Sequence, residues 1–189
     1  MARPLSEQKR EAIMDAATAL IAEKGMGAST AAVAKAAGVA EGTLFTYFAS
    51  KDELLNELYL DLSNQLAQAL RSNSPLKFTA EMGVRHILGQ LIAWGVDNPL
   101  KYRAKYQLKA CERVSAETRR RGLESFREFQ AMLQASLAKR TNPLLASFYI
   151  GSVLPGLADM TIEAIRAHPQ DRERLTQATF DLFWKGIKV

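Results

Sequence analysis

A short helix over about Glu41 to Tyr47 would turn Glu41, Thr43, Phe45, Thr46 and Tyr47 outward, a set of short hydrogen-bonding and aromatic groups with a single charge. These residues stand in the run GMGASTAAVAKAAGVAEGTLFTYFASKDELL from Gly25 to Leu55. The run reads as a short helix, a glycine turn, a second short helix and a firmly capped third. That is the pattern of a helix-turn-helix, which offers its second helix to the major groove of DNA. The chemistry is recognition rather than bond making. His86 and His168 lie far apart in sequence, without a cysteine or carboxylate pattern of metal-ligand spacing. Neither a phosphate-binding glycine loop nor a nucleophile elbow is present. The reading is therefore of a non-enzyme that calls for no metal and no cofactor. Cys111 reads as a small hydrophobe in or near a core.

Helices must hold that outward face in place, and their caps are legible. Ser29 and Thr30 are both competent N-caps for a helix that carries Val33, Ala34 and Ala37 inward before Gly38 breaks it. The small Ala34 lets the next helix approach closely, and glycine at 38 accepts the positive φ that a sharp turn requires. Val39 and Leu44 plug the angle between the two helices. Phe48 packs back, and Ser50-Lys51-Asp52-Glu53 is a capping box, in which serine and glutamate satisfy each other's end of the chain. A first helix from about Ser6 to Lys24 buries Ile13, Ala16, Ala17, Leu20 and Ile21 and ends at Gly25. Beyond the capping box, Leu54, Leu55, Leu58, Tyr59, Leu62, Leu66 and Leu70 continue one apolar stripe for about five turns.

The remainder also reads as helix punctuated by caps, with no sustained alternation that would mark strands. Residues 71–78 look like a connection, followed by a helix to about Val96. Asn98-Pro99 opens a short helix with Tyr102 and Tyr106, and a longer one is expected from about Ser115 to Lys139. Asn142-Pro143 opens an eighth helix to about Ala167, in which Pro155 should kink or unwind the backbone. A ninth spans about Asp171 to Ile187. The expectation is an all-α chain with a helix-turn-helix domain over 1–49, a linking helix over 50–71 and a helical body over 72–189. No apolar run approaches the roughly 18 residues of a membrane span, and MARPLSEQKR lacks the apolar core of a signal peptide. A cytoplasmic location is expected, with no membrane partner.

Charge gives the nucleic-acid reading less help than the net +5 and pI near 9.4 suggest. Residues 1–57 hold six bases against eight acids, so the candidate reading module is slightly acidic. The surplus lies in residues 98–140, where eleven bases face only Glu112, Glu117, Glu124 and Glu128. Those bases read as a solvated helix face.

Residues 10–55 closely resemble the N-terminal domain of the TetR family of regulators. The family's EKG followed by IA-x-x-AGV-x-x-GTLY-x-YF-x-SK-x-x-L is matched by AEKG, VAKAAGV, EGTLFTYF and SKDELL. The rest of the chain fits the family's nine-helix plan in helix count and length. A fainter likeness, carried by MARP, VAEGTLF-x-YF, the Tyr59 segment and I-x-WG before Asn98-Pro99, extends to regulators of the RamR type. The resemblance implies that the cap of the second helix falls at Ser29 or Thr30, where either hydroxyl contacts phosphate. Ala40, Glu41, Gly42 and Thr43 match the start of the recognition helix, and Phe45 stands where tyrosine is usual. Thr46 matches a variable position that reads a base edge or thymine methyl, while Tyr47 and Lys51 match phosphate contacts. Arg3, Lys9 and Arg10 are expected to add mobile positive charge.

One recognition helix reads only a few base pairs, so a specific site needs two copies on a near-palindrome. The last two helices offer the apolar surface for a homodimer, through Leu144, Leu145, Phe148, Leu157, Leu175, Ala178, Leu182, Phe183 and Ile187, with Gly151 and Gly156 allowing close approach. The resemblance points to the same four-helix arrangement. It also implies a small-molecule cavity in the body, for which Tyr59, Trp94, Tyr102, Tyr106, Phe126, Phe129 and Met132 are the candidate lining. The function it implies is a homodimeric repressor that a small hydrophobic or amphipathic inducer releases from a palindromic operator. The alternatives are a ligand-responsive activator and a helical dimeric adaptor for a protein partner.

Overall fold

The computed structural model describes residues 6–72, 79–138 and 140–187, which are helical throughout, with no strand among them. In chain order the helices are α1 (Glu7–Lys24), α2 (Thr30–Ala36), α3 (Glu41–Tyr47), α4 (Lys51–Arg71), α5 (Ala80–Asp97), α6 (Pro99–Ala110), α7 (Ala116–Glu124), α8 (Arg127–Leu137), α9 (Pro143–Phe148), α10 (Leu154–Ala167) and α11 (Arg172–Gly186). Short three-ten turns at Gly25–Gly27 and Pro169–Asp171 and a π turn at Tyr149–Val153 complete the list. The all-α expectation holds. The connection read at 71–78 falls outside the described residues beyond Ser72.

The chain forms two compact units that do not follow sequence order: residues 1–64 join 99–123, and residues 65–98 join 124–189. In the first unit, Ile13, Ala17 and Ile21 of α1, Ala34 of α2, Leu44 of α3 and Leu58 of α4 close one core with Ala104 and Leu108 of α6. Each of the larger side chains contributes about 1.5–3 kcal/mol by leaving water, and α6 is thereby a full member of the helix-turn-helix unit. In the second unit α5 packs against α8, α10 and α11. Ile87, Leu88, Ile92, Phe129, Leu133, Ile162 and Phe180 are buried there.

Three expectations about the body need correction. The single helix over 115–139 is two, because the chain breaks at Ser125 and Phe126, where Phe126 adopts φ −105° and ψ 1°. The Ser125 carbonyl accepts from Arg71 Nη2 at 3.2 Å. The effect of Pro155 falls just before it. Having no N–H, proline cannot bond the Gly151 carbonyl, and the backbone widens into a π turn over Tyr149–Val153, with the Leu154 amide reaching back to Tyr149 O. Finally, α9, the π turn and α10 form one continuous rod, Pro143–Ala167, which is long and apolar enough to cross a bilayer by length and composition alone. The sequence expectation had found no such segment. The interruption by Ser147, Ser152 and Asp159 hides it from a search for unbroken apolar runs.

Candidate nucleic-acid interface

Ser29 is the N-cap of α2. Its backbone is extended and its Oγ accepts the Ala32 amide at 3.1 Å. Thr30 is then the first helical residue, and its hydroxyl donates to Glu41 Oε1 at 2.7 Å. That bond ties the first turn of α2 to the first turn of α3. The elbow is built as the residue types require. Gly38 sits at φ 68°, its amide donates to Lys35 O at 3.2 Å, and the Val39 amide reaches Ala34 O at 3.0 Å. Leu44 is fully buried beneath the angle.

With Leu44 and Phe48 buried, Ala40, Glu41, Gly42, Phe45 and Thr46 are exposed, while Thr43 and Tyr47 are half-buried. Thr46 Oγ1 donates back to Thr43 O at 2.8 Å, so its donor is engaged within the helix and its lone pairs remain to accept. Tyr47 Oη accepts the Ser6 amide at 2.9 Å, which leaves its own O–H to donate outward. Lys51 Nζ donates to Met26 O at 2.9 Å. This pins the turn before α2 to the first turn of α4 and leaves two of the three ammonium donors. The capping box closes as expected on one side, with the Glu53 amide on Ser50 Oγ at 3.1 Å. On the other side Glu53 Oε2 accepts from Ala49 N at 2.7 Å. Arg10 is not mobile: it pairs with Glu57 at 2.6 Å and its guanidinium lies 5.5 Å from the Phe48 ring centroid. Arg3 lies outside the described residues.

The charge of this unit differs from that of its N-terminal segment. Between Ser6 and Asn64 five bases stand against nine acids, but residues 99–123 bring eight bases and two acids into the same unit. The described part of the unit is thereby net positive. Arg113 pairs with Asp52 beside Lys51, and Asn56 joins the α6–α7 connection to α4 by accepting the Ser115 amide at 3.0 Å and donating to Arg113 O at 3.0 Å. Sequence reasoning missed Asn56 and Arg113. The basic composition of 98–140 was the only signal for Arg113 and there was none for Asn56, because their meeting is a tertiary fact.

The candidate dimer residues are mostly on the surface. Leu144 is 80% exposed, Phe148 54% and Leu182 64%. Leu145 and Gly151 are also exposed, and Leu175 is half-buried. Phe183 is a correction, because at 3% exposure it belongs to its own unit's core. It also floors an apolar groove of about 210 Å³ with Tyr149, Leu157, Leu182 and Ile187. The seven candidate ligand residues divide between the two units. Tyr59, Tyr102 and Tyr106 belong to the first unit, and Trp94, Phe126, Phe129 and Met132 to the second. Tyr106 is corrected as a cavity residue, being 59% exposed on α6 opposite the buried Ala104 and Leu108. Within the second unit a groove of about 280 Å³ between α5 and α11 is lined instead by Arg85, Leu88, Gly89, Ile92, Arg172 and Phe180.

The capped α2, the glycine elbow and the exposed α3 define a helix-turn-helix protein of the DNA-reading class. The profile of the bacterial regulatory proteins of the tetR family matches residues 13–58, so this N-terminal segment is a TetR-type helix-turn-helix domain. The fatty acid metabolism regulator protein of Bacillus subtilis is 37% identical over 70 residues, which span 36% of this chain and 36% of that protein. The match thus spans about a third of the relative's length. The fold of the whole chain is that of solved TetR-type structures. A TetR family transcription regulator from Marinobacter aquaeolei VT8 superposes with a TM-score of 0.78 at 19% identity, covering 95% of each chain. The transcriptional regulator FadR from Bacillus subtilis, in complex with stearoyl-CoA, gives 0.70 at 21% identity over 92% of this chain and 97% of that one. These proteins are regulators, not enzymes.

Proposed function

We propose that the chain is a cytoplasmic transcriptional regulator that binds a near-palindromic operator as a homodimer and is released from it by a small hydrophobic or amphipathic ligand. The observation that carries this reading is the exposed face of α3, Ala40 to Thr46, held outward by the Gly38 elbow and the buried Leu44. Short side chains there admit close approach to base edges, with Thr46 accepting a hydrogen bond or meeting a thymine methyl. Ser29 or Thr30, Tyr47 and Lys51 are the phosphate contacts. Ser29, Tyr47 and Lys51 each keep a donor after their internal bonds, whereas the single Thr30 hydroxyl proton is taken by Glu41 and must leave it to reach a phosphate. Exposed Leu144, Leu145, Phe148 and Leu182 supply the dimer surface, and an apolar patch of this kind is what a symmetric contact covers.

The ligand reading rests on the second unit, where Trp94 and Phe129 are buried. A relative of the same fold holds stearoyl-CoA, which supports an amphipathic ligand class here. A ligand favouring the form that cannot span two half-sites lowers operator affinity by its differential affinity for the two forms. The test is selection of bound fragments from source DNA, followed by titration of the selected site with and without candidate acyl ligands. Specific binding that weakens on ligand addition is expected. Equal affinity for selected and scrambled DNA would overturn the regulator reading, and equal affinity with and without every ligand would overturn the release mechanism.

A further inference from the structure

Arg113 is separated from Lys51 by 62 positions in sequence and brought beside it in the fold. The connection between α6 and α7 is bound to the first turns of α4 through Asn56, whose Nδ2 donates to Asp52 O at 2.6 Å and to Arg113 O at 3.0 Å, while its Oδ1 accepts from Ser115 N. Arg119 holds the same corner from behind, donating to the carbonyls of Lys109 and Cys111. Thus anchored, the Arg113 side chain lays its Nε on Asp52 Oδ1, one residue from Lys51. Both partners of this pair are about half exposed, at 48% and 55%. Among the described residues the terminal nitrogens of Arg113 make no hydrogen bond, so the planar fork that suits a phosphate is open.

We propose that Arg113 is a DNA-backbone contact supplied from outside the helix-turn-helix, with Asp52 as its positioning residue; this rests on the operator-binding reading above. Three features support it. The guanidinium lies next to the turn of α4 that bears Lys51. The Asp52 carboxylate, which alone would repel a phosphate beside Lys51, is neutralised by the same contact that aims the fork. And residues 99–123 give the unit a charge complementary to DNA that residues 6–64 lack. The α6–α7 limb thus extends the phosphate footprint beyond the residues that the helix-turn-helix supplies.

The experiment is a fluorescence-anisotropy titration of the selected operator with the full chain, repeated between 50 and 200 mM salt, for wild type, Arg113→Gln, Arg113→Ala, Arg113→Lys and Lys51→Gln. Each phosphate contact contributes about 0.9 to the slope of log affinity against log salt, so a dimer that loses one per protomer should lose about 1.8. The affinity ratio of wild type to Arg113→Gln should then shrink about 12-fold across that fourfold range. Arg113→Lys, which keeps the charge, should retain the wild-type slope. Gln and Ala variants are read where their far-UV helix signal matches wild type, so that a folding defect is not mistaken for a lost contact. An unchanged slope in Arg113→Gln or Arg113→Ala with a reduced slope in Lys51→Gln overturns the Arg113 contact and leaves the operator reading standing. Failure of the wild type to prefer operator over scrambled DNA overturns both.

Discussion

The same substitution, glycine to alanine inside a helix, should have opposite signs at two positions of this chain. At Gly89 of α5 an added Cβ meets nothing within 4 Å, whereas at Gly122 of α7 it would lie 2.6 Å from Tyr59 Cε1 and 3.3 Å from Ser63 Oγ. Favourable carbon contacts begin at about 3.5 Å, so the Tyr59 ring must yield by nearly 1 Å. It has little room to do so. Tyr59 is 7% exposed, the Lys105 ammonium lies 4.9 Å from its ring centroid, and Ser63 donates to its carbonyl at 2.7 Å. Replacing glycine by alanine in a helix interior stabilises by about 0.8–1 kcal/mol, and overpacking a filled core costs about 1–3 kcal/mol. Gly89→Ala should therefore gain about 1 kcal/mol, and Gly122→Ala should lose about 1. Because the propensity gain is common to both, their difference isolates the clash at about 1–3 kcal/mol. Urea unfolding followed by far-UV circular dichroism measures it, with tryptophan fluorescence from Trp94 and Trp184 reporting the second unit alone. In a Tyr59→Leu background the clash is gone, and Gly122→Ala should become neutral or stabilising. A Gly122→Ala midpoint equal to or above that of Gly89→Ala would refute the reasoning.

Burial, reinforced by the nearby Lys109 charge, lowers the Lys105 amine from 10.5 to about 8. The unfolded chain then binds more protons between those values, so stability should rise with pH from about 8 to 10.5. Lys105→Met should flatten that rise and raise the unfolding midpoint at pH 7, which denaturation at pH 7, 8.5 and 10 checks. Leu144→Asp combined with Phe148→Asp places charge on the exposed α9 face and should turn the proposed dimer into monomer in sedimentation velocity, with loss of operator affinity; a dimeric wild type with an unchanged variant sedimentation coefficient would move the dimer surface elsewhere. Trp94→Ala should weaken the response to ligand in the operator titration while leaving operator binding in its absence intact. An unchanged response would remove Trp94 from the ligand site.

Where the physics is local, the sequence predicted the structure closely. Ser29, Ser50 with Glu53, and Asn142 all cap as their types and spacing require, because a cap involves residues three or four apart. The Gly38 elbow is equally local, since a positive φ selects glycine whatever surrounds it. Prediction failed where a distant group decides the backbone or the exposure. The break at Ser125 coincides with a hydrogen bond to its carbonyl from Arg71, more than fifty residues away, which no local pattern signals. Tyr106 was read as cavity lining from its residue type, yet its exposure is set by which face of α6 meets α1.

Charge is the clearest case of a property that changes meaning with the fold. Counted along the chain, the reading module is acidic and the bases of 98–140 are remote from it, so that positive charge and DNA recognition look unrelated. Packing of α6 and the start of α7 with α1 to α4 reverses that conclusion, because residues 99–123 carry eight bases into the unit that bears α3. The reversal also explains how a recognition surface with so few cations of its own can hold a polyanion. Arg10 is committed to Glu57 and Lys51 is partly committed to Met26 O, so each does structural service within the module. On the contacts proposed above, phosphate affinity draws on hydroxyls, the remaining Lys51 donors and charge imported on α6 and α7. On that proposal the salt dependence of binding includes a contribution from a part of the sequence that no helix-turn-helix pattern covers.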